Sequence, residues 1–432
     1  MDPKETKPTL KSPKNQHNTT LTNIYKLTFI STLIAFISLV TLHFWIASCD
    51  LTNEHRDMTC SLKFFLYAVP HIITSMVSIA NTLSYTGIVE FNTSLRYMLN
   101  QLESNTTVKY TDIQLEYPVR VQDLLIDGIV TYVYTPNTLI DTPNSPVVFY
   151  FHGGGGIMQS PKLSDYSLRQ LADDMKVKIF VPNYRKSPEV CFPQPQEDCL
   201  TVVKQVVYRS NEFGVDSKRV FIMGDSFGGH AAVYVAFKWH ELGLDTRHAP
   251  LRGLIPVYPR LQWINLQLDS YIPITNNGRM SSPQLIAIYL SLALIGNTEL
   301  IPYILNHSIA KLSANYQERL NEFPHLIVES KWQPPTELIE KYSSYADTLL
   351  SPYATLLFQS NFSVLPPTLL ITAEYDTLLS EGLLFKERLE VSGVSVEYYE
   401  GEKMFHGYFY YSGLSPCIDA YKRVARFVDK YV

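Results

Sequence analysis

Gly224-Asp225-Ser226-Phe227-Gly228-Gly229 follows an apolar run, Arg219–Met223, and precedes a helix-like run from His230 to Leu242. A serine between small residues at a strand-to-helix turn is a nucleophile elbow: the chain turns sharply and holds the hydroxyl clear of itself. A serine hydroxyl attacks poorly until a base takes its proton, so the pattern calls for a histidine and a carboxylate to orient it. His406, in Phe405-His406-Gly407, and Asp376, in Glu374-Tyr375-Asp376, fit those roles. Glu374 is a rival acid, and His152, His230 and His248 are rival bases. His152 belongs to a glycine loop, His230 lies within the helix after the elbow, and His248 precedes a strand at the end remote from the site. The remaining need is a set of donors for the charge that builds on a carbonyl oxygen. His152-Gly153-Gly154-Gly155-Gly156 can aim backbone N–H groups at one point. Losing one such donor costs on the order of 3 kcal/mol of transition-state stabilisation. The chemistry implied is acyl transfer from an ester or amide through an acyl-serine, using no metal and no cofactor.

Each of these groups stands just past a strand. Residues 108–135 alternate as strands, and Pro136-Asn137 makes a turn. Pro146–Phe151 is a continuous apolar strand that runs into the glycine loop, as expected of a sheet covered on both faces. A helix over Tyr166–Lys176, a strand over Val177–Val181 and a helix from about Glu197 to Asn211 follow. Between them Asn183, Tyr184 and Arg185 read as scaffold that holds the glycine loop by hydrogen bonds. Leu251–Tyr258, Leu365–Ala373 and Val394–Tyr399 are further strands, with helices over Leu378–Ser392 and Pro416–Tyr431. The alternation predicts a mostly parallel central sheet with helices on both faces. Residues 260–350 break it with prolines and apolar helical segments such as Leu285–Ile295, so a helical cap is expected there, over the carboxyl ends of the strands. A cap this apolar suits a lipid-like or aromatic acyl substrate.

The chain order Ser226, Asp376, His406, after a strand-borne His-Gly-Gly-Gly, is that of the α/β hydrolases. With Pro182-Asn183-Tyr184-Arg185 added, residues 90–432 resemble the arylacetamide deacetylase and neutral cholesterol ester hydrolase group of the hormone-sensitive-lipase branch. The resemblance implies that Ser226, Asp376 and His406 form the triad and that the N–H groups of Gly153, Gly154 and Phe227 form the oxyanion hole. It also implies a type II membrane protein of the endoplasmic reticulum that cleaves carboxylic esters and some arylamides in the lumen. The chain departs from the group's pattern in three places. Phe227 stands where alanine is usual, Gly156-Ile157-Met158-Gln159 replaces an aromatic and a later glycine, and Leu379-Ser380 replaces Arg-Asp. The competing reading is a binding protein on the same fold, silent in catalysis.

The amino end is a separate matter. Residues 1–26 read as a cytosolic tail with five lysines, and residues 27–49, without a charge, as a membrane-spanning signal anchor. Residues 50–107 read as membrane-proximal helices that form part of the cap, and 108–432 as the catalytic domain. Residues 64–89 are again uncharged, so a second span is the alternative, but nine polar or proline positions favour helices lying on the bilayer. Asn92, Asn105, Asn306 and Asn361 stand in glycosylation sequons, all after the anchor. Over 432 residues the net charge is −5 and basic residues are not clustered, so nucleic acid is excluded as a partner. Five cysteines are too few for a disulfide scaffold, and no pair has zinc-ligand spacing.

Overall fold

The computed structural model describes residues 72–81, 84, 93–96, 98–100, 117–244, 249–271, 283–324, 326–327 and 333–432. The tail at 1–26, the span at 27–49 and most of the 50–107 segment lie outside these residues, as do Asn92 and Asn105. Among the described residues no helix is long and apolar enough to cross a membrane.

Eight strands form one sheet in the order β1-β2-β4-β3-β5-β6-β7-β8. β1 (Val119–Ile126) and β2 (Ile129–Pro136) are an antiparallel hairpin, closed at Asp127-Gly128 where both residues have positive φ. β2 also runs antiparallel to β4 (Lys178–Pro182). From there every pairing is parallel: β4 with β3 (Ser145–Phe151), then β5 (Val215–Asp225), β6 (Leu251–Val257), β7 (Thr368–Tyr375) and β8 (Val396–Phe405). All seven residues of β3 are buried, which is why its sequence is apolar without alternation. Its two faces still go to different layers. Val147, Phe149 and Phe151 join the core formed with helices α2 (Gln194–Tyr208) and α3 (Phe227–Glu241). On the other face α1 (Asp165–Met175) and α9 (Ser415–Tyr431) pack together, and Phe427 of α9 reaches Gly253 beside Phe221.

Two strands extend beyond the sequence expectation. β5 begins at Val215 and takes in Asp225, and β8 continues to Phe405, so that His406 follows it directly. The charged stretch Glu400–Lys403 had obscured the second half of β8.

The insertion lies between β6 and β7. It holds α4 (Pro283–Ile295), α5 (Ile301–Leu305), α6 (Tyr316–Glu322) and α7 (Thr336–Leu349). α4 is buried nearly all round, from Leu285 to Leu294, and so carries no polar face. Between β7 and β8 runs α8 (Leu379–Val391), which packs on both strands. Upstream, the helical residues 73–80 bury Ile73, Met76, Val77 and Ala80 and expose Thr74 and Ser78, a one-sided pattern at helical spacing. Arg96 ties the next helical segment to the glycine loop, donating to the carbonyls of Ile157 and Ser187 and pairing with Glu189.

Candidate active site

Ser226 lies at the turn between β5 and α3 with φ 57° and ψ −116°, a backbone conformation that costs a non-glycine residue roughly 1–3 kcal/mol. Three hydrogen bonds hold it there. Its N–H donates to the Val257 carbonyl at 2.9 Å, and its carbonyl accepts from the N–H groups of His230 and Arg260, both at 3.1 Å. Gly228 is required by close approach: a Cβ there would lie 1.9 Å from the Phe151 carbonyl oxygen, so α3 can meet the end of β3 only without a side chain.

The structure brings Ser226, His406 and Asp376 into one hydrogen-bonded line. His406 Nε2 is 2.8 Å from Ser226 Oγ, and His406 Nδ1 is 2.7 Å from Asp376 Oδ2. The Asp376 side chain is fully buried and the His406 side chain is 14% exposed. The other Asp376 oxygen accepts the Leu378 N–H at 2.9 Å, which fixes the carboxylate plane. With a carboxylate at Nδ1, the imidazole proton sits there and Nε2 keeps its lone pair toward the serine hydroxyl.

The rival groups have other partners. Glu374 accepts the Lys403 N–H at 2.7 Å and clasps the end of β7 to β8. His152 is buried with its ring stacked on Tyr184 at 4.3 Å, and burial pushes its pKa well below the usual value. His230 has its Nε2 2.9 Å from the Ala354 carbonyl and its Nδ1 3.3 Å from Gln196 Nε2, and burial pushes its pKa down to about 4. His248 lies outside the described residues. Of the three residues read as scaffold, Tyr184 holds the glycine loop directly, its hydroxyl donating to the carbonyl of His152 at 2.7 Å. Asn183 accepts from Lys186 and Arg185 pairs with Asp198.

The glycine loop departs from expectation at its first residue. The Gly153 N–H is turned inward, to the Tyr410 hydroxyl at 3.4 Å and the Asp225 carboxylate, and is not directed at a substrate oxygen. Among the described residues, no acceptor is recorded for the N–H groups of Gly154, Gly155 and Phe227. Gly154 has φ +95°, and a Cβ on it would lie 2.3 Å from the Met158 carbonyl oxygen, so the loop folds back tightly on itself.

Asp225, the residue before the serine, organises this corner. It is buried and accepts hydroxyl protons from Tyr150 at 2.7 Å and Tyr410 at 2.6 Å. Burial raises its pKa to about 6, against the opposing hydrogen bonds from Tyr410 and Tyr150. Its position inside the elbow was plain in the sequence, but its partners come from residues 75 and 185 positions away and carry no local signal. The Phe227 ring is buried, packs against Gly156 and lies between Tyr184 and His230. Leu379-Ser380 leaves Asp376 in place, and the Ser380 hydroxyl accepts the Ser270 N–H at 3.0 Å, tying α8 to the insertion.

The chain matches the alpha/beta hydrolase fold family over residues 148–331 and 330–410. It is 30% identical over 299 residues to arylacetamide deacetylase of Bos taurus, which covers 66% of this chain and 74% of that protein. It is 29% identical over 317 residues to arylacetamide deacetylase-like 3 of Homo sapiens, covering 67% and 72%. With neutral cholesterol ester hydrolase 1 of Mus musculus it shares 26% over 306 residues, covering 67% and 74%. Among solved structures, an esterase of Pyrobaculum calidifontis superposes with a TM-score of 0.57 at 24% identity, over 82% of this chain and 97% of that one. A bacterial heroin esterase superposes with a TM-score of 0.56 at 20% identity, over 77% and 90%. These superpositions establish the fold.

Proposed function

Because the chain belongs to the alpha/beta hydrolase fold family, in the arylacetamide deacetylase and neutral cholesterol ester hydrolase group, we propose that it is a serine hydrolase of carboxylic esters, with arylamides as further substrates. His406 Nε2 takes the Ser226 proton as Oγ attacks the ester carbonyl carbon, and Asp376 holds and stabilises the imidazolium. The carbonyl π electrons move onto oxygen, where the N–H groups of Gly154, Gly155 and Phe227 receive the charge. As the tetrahedral adduct collapses, the alkoxide leaves with the proton from His406, and the acyl group remains on Ser226. Water then enters, gives a proton to His406, and releases the acid by the reverse sequence. The observation that carries this reading is the 2.8 Å and 2.7 Å line from Ser226 through His406 to Asp376.

The apolar surroundings of α4 support an apolar or aromatic acyl group. An uncharged 27–49 preceded by five lysines supports a type II anchor with the catalytic module in the lumen of the endoplasmic reticulum. The one-sided burial of residues 73–80 favours a helix lying along a surface over a second crossing. The test is a panel of aryl acetates, longer acyl esters and arylacetamides with the wild type and Ser226→Ala. The variant should lose at least about three orders of magnitude in turnover and all labelling by an organophosphate. Equal turnover by the variant refutes the reading.

A further inference from the structure

The segment after β6 carries a charge that the triad leaves unused. Tyr258-Pro259-Arg260 passes directly beneath the nucleophile, with the Arg260 N–H on the Ser226 carbonyl at 3.1 Å. The Arg260 side chain is buried, with the residue 7% exposed; among the described residues it forms no ion pair, and its Nη1 has no hydrogen-bond partner. A buried guanidinium nitrogen without an acceptor is costly, because its hydration has been given up and not replaced.

The nearby carboxylate answers it only at a distance: the Arg260 charge offsets the burial that raises the Glu381 pKa, without a hydrogen bond between the two. Glu381, buried on α8, accepts from the N–H groups of Leu261 and Gln262 and from the Tyr271 hydroxyl, and it makes no ion pair with Arg260. The Arg260 charge opposes the burial that raises the pKa of Tyr271, Tyr289 and Glu381, and adds to the burial that lowers that of His230. Tyr289 belongs to α4, and its ring lies against Gly155 of the glycine loop. A second buried donor without a partner stands nearby: Nε1 of Trp263, whose ring is 5.5 Å from that of His230.

Two buried donors lacking acceptors, one of them cationic and on a residue whose backbone N–H holds the Ser226 carbonyl, are explained by an acceptor that arrives with the ligand. We infer that the site takes esters carrying a second, anionic group, a carboxylate a few bonds from the ester carbonyl, which Arg260 binds while Ser226 attacks. The inference rests on the esterase reading above. It adds one fixed cation to an otherwise apolar site, and so predicts a preference for amphiphilic half-esters over wholly neutral ones. In the bland alternative, Arg260 only balances Glu381 at a distance and ordered water completes its hydrogen bonds.

The experiment uses the full-length chain in detergent and two pairs of esters. Monoethyl adipate against ethyl hexanoate places the carboxylate on the acyl side, and 4-acetoxybutanoate against butyl acetate places it on the alcohol side. The wild type should favour the acidic ester in one pair by about tenfold or more in kcat/KM, the effect of one charge-assisted hydrogen bond. The responding pair identifies the side. Arg260→Met should lower the acidic-to-neutral ratio in that pair at least about tenfold, with Arg260→Lys intermediate. A wild type that prefers the neutral ester in both pairs overturns the inference, and this comparison needs no variant to fold. If no ester in either pair is cleaved and Ser226 resists organophosphate, the esterase reading itself fails.

Discussion

Two carboxylates two residues apart have opposite duties, and their contacts separate them. Asp376 is fully buried against His406, whereas Glu374 holds a backbone N–H of β8. Asp376→Asn should lower kcat by about three to four orders of magnitude, because the amide fixes the wrong imidazole tautomer. Glu374→Gln should leave kcat within about threefold and lower only the melting temperature. Initial rates and thermal melts on the same preparations decide this, and equal loss of turnover in both variants refutes the assignment. Asp225 gives a pH signature. Its folded-state pKa of about 6 lies above the ordinary 3.8, so the native state binds this proton more tightly than the unfolded chain. Its contribution to stability is present at the acid end of that window and lost as pH rises through about 6. The stability of the wild type relative to Asp225→Asn should therefore fall between pH 4 and 7. A difference independent of pH would mean that Asp225 is ionised throughout. At this scale the triad was legible, since each member follows a strand in a short recognisable motif. The inward turn of the Gly153 N–H and the burial of Arg260 were not, because both depend on groups distant in the chain.

The elements that matter are those whose ends meet at the site. β3, β5, β7 and β8 each end on the residue before His152, Ser226, Asp376 and His406. The apolar runs of β3, β5 and β7 could be read directly, because a doubly covered parallel strand has no polar face to confuse the pattern, whereas the charges of Glu400–Lys403 hid the end of β8. The pairing of β2 with β4 and the strand order were not readable, since the same runs allow several neighbours. The loop that completes the site depends on an element packed behind it: Tyr184, just past β4, carries the carbonyl of His152 on its hydroxyl. Tyr184→Phe removes that donor while keeping the ring stacked on His152. It should reduce kcat about tenfold with little change in KM, because the loop serves the transition state more than the ground state. A parallel rise in KM with unchanged kcat would show that the loop merely shapes the binding site.

Taken whole, the chain places a parallel sheet and its helices where the sequence pattern put them, interrupted between β6 and β7 by a helical insertion that the prolines and apolar runs of 260–350 foretold. The insertion was legible as a break in alternation but not as a shape, because α4, buried on nearly all sides, has no amphipathic stripe to orient it. Where the molecule sits relative to a membrane is a question for two of its asparagines. Asn306 and Asn361 are both exposed, and both stand in sequons within the catalytic module. A single anchor at 27–49 with the lysine-rich tail in the cytosol delivers both to the lumen, whereas a second crossing at 64–89 returns both to the cytosol, where no glycan is added. Expressed in cells, the wild type should shift in mobility on endoglycosidase treatment. Asn306→Gln and Asn361→Gln should each remove one step and the double variant both, with the sites at Asn92 and Asn105 replaced in the background. The same molecules should resist protease in intact microsomes. A wild type with no shift, digested from outside the vesicle, would place the Ser226 site in the cytosol and establish the two-span topology, leaving the triad chemistry as it is.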